Sequence, residues 1–161
     1  MRFRGRTSSG FTLIELLIVL ALLGILAATF VPRFTAAHQD ARRAAVAQDL
    51  DMFQRLIGLY REHHNGHLPA EGTDSEETFL KQLRGRTTVT GAVAPNGKYG
   101  PYLTGNIPPN PYGGASTVLV VAGPLQSHQC DGNGQHGWTY SSTTGELRAN
   151  LGGSPVRDDG R

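Results

Sequence analysis

Glu15 is the only charged residue between Phe11 and Val31, in the run FTLIELLIVLALLGILAATFV. A carboxylate among apolar side chains is costly in hydrocarbon unless a cation or hydrogen-bond donors satisfy it, so such residues mark pairing sites. A blander role is also open: in the first turn of a helix the macrodipole favours an acid. Gly10 immediately precedes the run, and a residue without a side chain lets another protein approach the backbone closely. The remaining reactive side chains form weaker patterns. His128, Cys130 and His136 invite a zinc site, but their spacing fits no standard pattern and no fourth ligand is evident. Asp131-Gly132-Asn133-Gly134 carries part of a calcium-loop pattern without its later acidic ligands. His63, His64 and His67 read as a solvated helix end, where imidazolium favours the C-terminus. There is no phosphate loop, nucleophile elbow or credible pair of catalytic carboxylates, so the chain reads as a non-enzyme with no metal and no cofactor.

The element that must position Glu15 is a helix. From Phe11 to Val31 it would span roughly 30 Å, the thickness of a bilayer's hydrocarbon core. Arg2, Arg4 and Arg6 precede it, so the N-terminus is expected to stay cytoplasmic and the rest to cross. An ordinary secretory signal is one alternative, with Ala27-Ala28 as a weak cleavage site, although its apolar stretch would be shorter. A plain single-pass anchor is another, and it explains everything except Glu15.

Charge argues against nucleic acid. The net charge is +2, and three of the 15 basic residues are Arg2, Arg4 and Arg6; without them the balance is 12 basic against 13 acidic, a net of −1. The single cysteine, Cys130, cannot form an internal disulfide. At 161 residues there is room for one domain of ordinary size and an appendage.

Past the apolar run, Pro32 removes a backbone hydrogen bond, and a kink or local opening is expected between Gly24 and Pro32, or simple punctuation at the end of the span. Val46, Leu50, Phe53, Ile57 and Tyr60 then advance by steps of three and four, which places a core-facing stripe on a continued helix. Asn65-Gly66 stops that helix near His64, with Pro69 beyond. Asp74 and Glu77, in capping-box spacing, open a short helix whose buried face holds Phe79, Leu80 and Leu83. A Gly- and Pro-rich connection follows over 87–114. Three strands then come at 116–121, 137–141 and 146–150, the last two joined by a turn at Thr143-Thr144-Gly145. Trp138 and Tyr140 share one strand face. The expected class is α+β: a long N-terminal helix packed against a small C-terminal antiparallel sheet.

Gly10-Phe11-Thr12-Leu13-Ile14-Glu15, with basic residues before it and the apolar run after it, resembles the processing site of type IV prepilins and of type II secretion pseudopilins. Gly24, Pro32 and the Asn65-Gly66-His67-Leu68-Pro69 stretch extend that likeness. Gly100-Pro101-Tyr102-Leu103, Pro108-Pro109-Asn110-Pro111 and Trp138-Thr139-Tyr140 through Asn150 are similar, more loosely, to the major pseudopilin of the G type. The resemblance implies a leader over 1–10, a transmembrane and filament-core helix over 11–31, its amphipathic continuation over 32–64, and a globular periplasmic or extracellular domain over 65–161. It implies cleavage after Gly10 by a prepilin peptidase, which N-methylates Phe11, and pairing of Glu15 with the Phe11 amine of a neighbouring subunit. The implied function is a structural subunit of a type II secretion pseudopilus that drives protein export from the inner membrane. Its implied partners are further copies, minor pseudopilins or pilins, a platform protein and an assembly ATPase. Major pseudopilins bind calcium in a C-terminal loop, yet no acidic cluster stands there in this chain. A surface pilin of adhesion, motility or DNA uptake is the alternative; pilins usually close a C-terminal loop by a disulfide, which a lone Cys130 cannot do. A membrane-tethered binding module that never polymerises is the third reading.

Overall fold

The computed structural model describes residues 11–126 and 135–150, with the backbone alone over 29–36. Helix α1 runs over Leu13–His63, and the chain divides into two units between Ala41 and Arg42. In the first unit α1 carries the apolar run, and its described side chains are exposed on every side, from Phe11 to Leu26.

The second unit holds the packed core. There α1 buries the stripe Val46, Phe53, Ile57 and Tyr60, with Leu50 half-buried beside it. Their spacing puts them on one face, and burying each such side chain contributes roughly 1.5–3 kcal/mol. The helix stops where Asn65 and Gly66 take positive φ, 55° and 91°, and the Gly66 amide caps the Arg61 carbonyl at 2.9 Å.

Helix α2, Glu76–Arg84, is capped by Ser75, whose hydroxyl accepts from the Thr78 amide at 3.1 Å. This corrects the expected Asp74–Glu77 box. The helix begins one residue later, so Glu77 falls a position short of the box and instead meets Lys81 at 2.6 Å. Phe79 and Leu83 are fully buried and Leu80 partly so.

Strands β1 (Val118–Val121), β2 (Trp138–Ser141) and β3 (Leu147–Ala149) form one sheet in that order. β2 and β3 are antiparallel, pairing Trp138 with Ala149 and Tyr140 with Leu147. β1 and β2 are parallel, pairing Val118 with Trp138 and Val121 with Ser141. The sheet is therefore mixed and not the expected antiparallel meander. Parallel pairing needs a connection of a dozen or more residues, and the stretch between Val121 and Trp138 is long enough, whereas β2 and β3 are joined by a tight turn. That turn needs Gly145, at φ 78°, because a Cβ there would also lie 2.9 Å from Leu68 Cδ2.

Phe53 of α1 meets Trp138 of β2 with ring centroids 5.4 Å apart, and Phe79 of α2 meets Tyr140 at 4.5 Å. The loops are tied down by side chains bonded to backbone. Buried Asn110 donates to the carbonyls of Gly137 (2.6 Å) and Asn150 (2.7 Å), Trp138 Nε1 donates to Pro108, and the Tyr140 hydroxyl donates to Pro69.

Burial pushes the Tyr60 phenol up to about 12 and raises that of Tyr140 further. A phenol with a raised folded pKa contributes stability that is complete below the ordinary value near 10 and is lost as pH climbs through the folded value. Thermal unfolding of the chain should thus shift downward between pH 10 and 12. Tyr60→Phe should flatten part of that slope, and an unchanged slope would exclude Tyr60 as its source. Asn110→Ala removes two buried hydrogen bonds, to the carbonyls of Gly137 and Asn150, and should destabilise by about 2 kcal/mol, as read from denaturant midpoints.

Candidate functional site

Glu15 lies in the first turn of α1, and the chain's own Thr12 holds it. The Thr12 amide donates to Glu15 Oε2 at 3.0 Å and the Thr12 hydroxyl donates to the same oxygen at 2.8 Å. In return the Glu15 amide donates to Thr12 Oγ1 at 3.3 Å. This is a reciprocal capping box with Thr12 as cap and Glu15 three positions on, satisfying amides that the helix start would otherwise leave open. Both Thr12 contacts fall on Oε2. Oε1 makes none among the described residues. The signal for this arrangement was present as Thr-x-x-Glu ahead of an apolar run, a recognised helix-start pattern; reading Glu15 only as a membrane charge passes over Thr12.

Phe11 stands one residue before the cap and is 84% exposed. Leu13, Ile14, Leu16, Leu17, Ile18, Val19, Leu20, Leu22, Leu23, Ile25 and Leu26 follow it, all exposed. A helix apolar all round is stable only when lipid or other helices cover it. Among the described residues no helix is long and apolar enough to cross a membrane; the described side chains of the run end at Ala28, short of Val31. The backbone is helical through Gly24 and Pro32, and a Cβ at Gly24 would meet nothing within 4 Å. Gly10 and the leader over 1–10 lie outside the described residues.

In the second unit the structure revises the histidines. His64 is fully buried, not solvated. It stacks on Tyr60 with centroids 3.7 Å apart, and its ring nitrogens reach the Tyr60 carbonyl (2.6 Å) and the Thr87 hydroxyl (2.9 Å). His63 stacks on Tyr99 and bonds the Tyr102 hydroxyl. Of these three only His67 is exposed, paired with Glu71. The tyrosines that cover the helix end come from the Gly- and Pro-rich connection, far along the chain, which is why the local pattern misreads it. Phe53, Ile57, Tyr60, Trp138 and Tyr140 sit together in the core, with Leu50 at its edge. No group of metal-ligating side chains occurs among the described residues; His128, Cys130 and Asp131-Gly132-Asn133-Gly134 lie outside them. The surface depressions are shallow. One of about 490 Å³ is lined by Glu77, Leu80, Lys81, Arg84, Gly85 and Val93, and it brings no nucleophile near a base.

Residues 5–31 match the prokaryotic N-terminal methylation motif. The chain is 30% identical over 73 residues to a ComG operon protein 3 homolog of Bacillus licheniformis, a stretch covering 75% of that protein and 45% of this one. The chain belongs to the type IV pilin-like family. This pilin-like protein is also 39% identical over 62 residues to the type IV wide pilus major component PilA4 of Thermus thermophilus, covering 38% of this chain and about half, 47%, of that relative. To a type II secretion system core protein G of Klebsiella michiganensis it is 27% identical over 139 residues, 83% of this chain and 88% of that one. No solved structure matches it significantly. The N-terminal motif and the capped, exposed apolar helix thus coincide in the pilin-like chain.

Thr12→Val removes the cap hydroxyl while keeping the shape. Amide exchange in the first turn of the micelle-embedded chain should accelerate roughly five-fold, and Thr12→Ser should restore it. Equal protection in Thr12→Val would mean that the box does not form.

Proposed function

We propose that this chain is a subunit of a type II secretion pseudopilus, polymerised through the Phe11–Val31 helix. The observation that carries the reading is the Glu15 carboxylate, capped through one oxygen and open at the other, at the head of a helix exposed on every described side. Cleavage after Gly10 leaves an amine on Phe11 about one helical turn from Glu15. In a filament, the Glu15 of one subunit meets the Phe11 amine of the next; two charges in hydrocarbon-like surroundings satisfy each other and set axial register. Before assembly the helix is held in the inner membrane, N-terminus cytoplasmic and globular unit periplasmic, and Gly24 and Pro32 mark where it loosens as it leaves the bilayer. A prepilin peptidase, a platform protein and an assembly ATPase serve the process, which needs no catalytic centre in this chain.

The secretion reading is favoured over a surface pilus by extent. The likeness to one core protein G takes in 83% of the chain, and to three others 35–53%, against 38% for the pilus relative and 45% and 55% for the competence relatives. A lone Cys130 also leaves no disulfide-closed loop.

Glu15→Leu should leave the protein inserted in the membrane and reduce filaments at least tenfold; normal filaments would sink the pairing. Deleting the chain should remove a defined set of proteins from the culture supernatant and trap them in the periplasm. An unchanged secretome with lost surface filaments favours the pilus.

A further inference from the structure

Three large apolar side chains stand exposed among the described residues of the second unit: Leu59 at 44%, Val89 at 42% and Val93 at 51%. Leu59 lies on the face of α1 turned away from the buried Val46–Tyr60 stripe, and Glu62, three positions on, shares that face. Gly58 stands beside Leu59, exposed and inside the helix. Glycine lowers helix stability there relative to alanine. A Cβ at this position would meet nothing within 4 Å, so packing within the chain does not account for the glycine. A glycine next to an exposed leucine does let a second molecule approach the helix backbone closely.

Val93 lines the depression of about 490 Å³ beside α2, together with Leu80, Gly85 and the side chains of Lys81 and Arg84. Leu80 and Val93 give this hollow an apolar wall. Lys81 is already paired with Glu77 at 2.6 Å. Arg84 is exposed and makes no ion pair among the described residues, and the same holds for Glu62. An apolar knob with one unpaired acid beside it thus matches an apolar hollow with one unpaired cation. Both surfaces belong to the second unit, and they are different surfaces. Joining them between copies is therefore a head-to-tail contact, the kind that repeats along a filament. We propose that the Gly58–Glu62 face of α1 docks in the Leu80–Val93 hollow of a second copy of this chain, with Leu59 against Leu80 and Val93 and Glu62 against Arg84. The inference rests on the filament reading above. The apolar contact supplies the stabilisation, and the charge pair sets orientation and disfavours wrong dockings.

The test uses the full-length chain in cells, in a Cys130→Ser parent, with Glu15→Leu as the non-assembling control. A Leu59→Cys chain and a Val93→Cys chain expressed together should form a disulfide-linked dimer under mild oxidation, and neither should do so alone. Arg84→Glu and Glu62→Arg should each reduce sheared filament yield about tenfold, and the double swap should return it to within about threefold of the parent. Gly58→Ala should raise the unfolding midpoint while lowering filament yield, two opposite effects that a purely structural role would not produce; it carries the test if a charge variant fails to accumulate. Absence of the mixed dimer, a dimer equally abundant in the Glu15→Leu background, full assembly of Gly58→Ala, or a swap no better than the single variants overturns the docking. A parent chain that forms no filament overturns the filament reading itself, which separates the two failures.

Discussion

A helix apolar on every face has no stable place in water, and a carboxylate inside it has none in hydrocarbon. The stretch from Phe11 to Leu26 combines the two. Its exposed leucines, isoleucines and valines demand cover from lipid or from other helices, and Glu15 limits which cover is acceptable, because a partner must bring a positive charge or donors to one point. Thr12 answers half of that demand from inside the chain. Its amide and hydroxyl occupy one carboxylate oxygen, which keeps the first turn wound.

The second unit works by different means. With one cysteine in the chain, no internal disulfide can staple it, and much of its length is Gly- and Pro-rich connection. Order comes from aromatic packing and from side chains that bond backbone. Phe53 on Trp138 and Phe79 on Tyr140 join both helices to the central strand. Asn110, Trp138 and Tyr140 then pin three separate loops by their carbonyls. These bonds satisfy buried polar groups, so loops poor in regular structure still have one conformation. Along the helix face of this unit, Asp49 is half-buried and burial raises its carboxyl above the ordinary range.

The sequence by itself determined the features governed by neighbours in the chain. The apolar run, its lone acid, the helical stripe from Val46 to Tyr60, the stop at Asn65-Gly66 and the Thr143–Gly145 turn all depend on spacing and local backbone preference, which a linear pattern records. The capping of Glu15 by Thr12 belongs with them, since three residues of spacing encode it, and so does the tight β2–β3 hairpin. Tertiary structure decided whatever depended on distant residues. Thr-Asp-Ser offered more than one way to start α2, and the choice of Ser75 came with Glu76 accepting from the Val118 amide at 2.7 Å. The parallel β1–β2 pairing has no local signature, because the direction of a strand is set by what its long connection and the packing of its faces allow. His64 reads as a surface histidine until Tyr102, Tyr99 and Thr87 fold back over it: burial is a property of the whole chain's path, and no window of adjacent residues contains it.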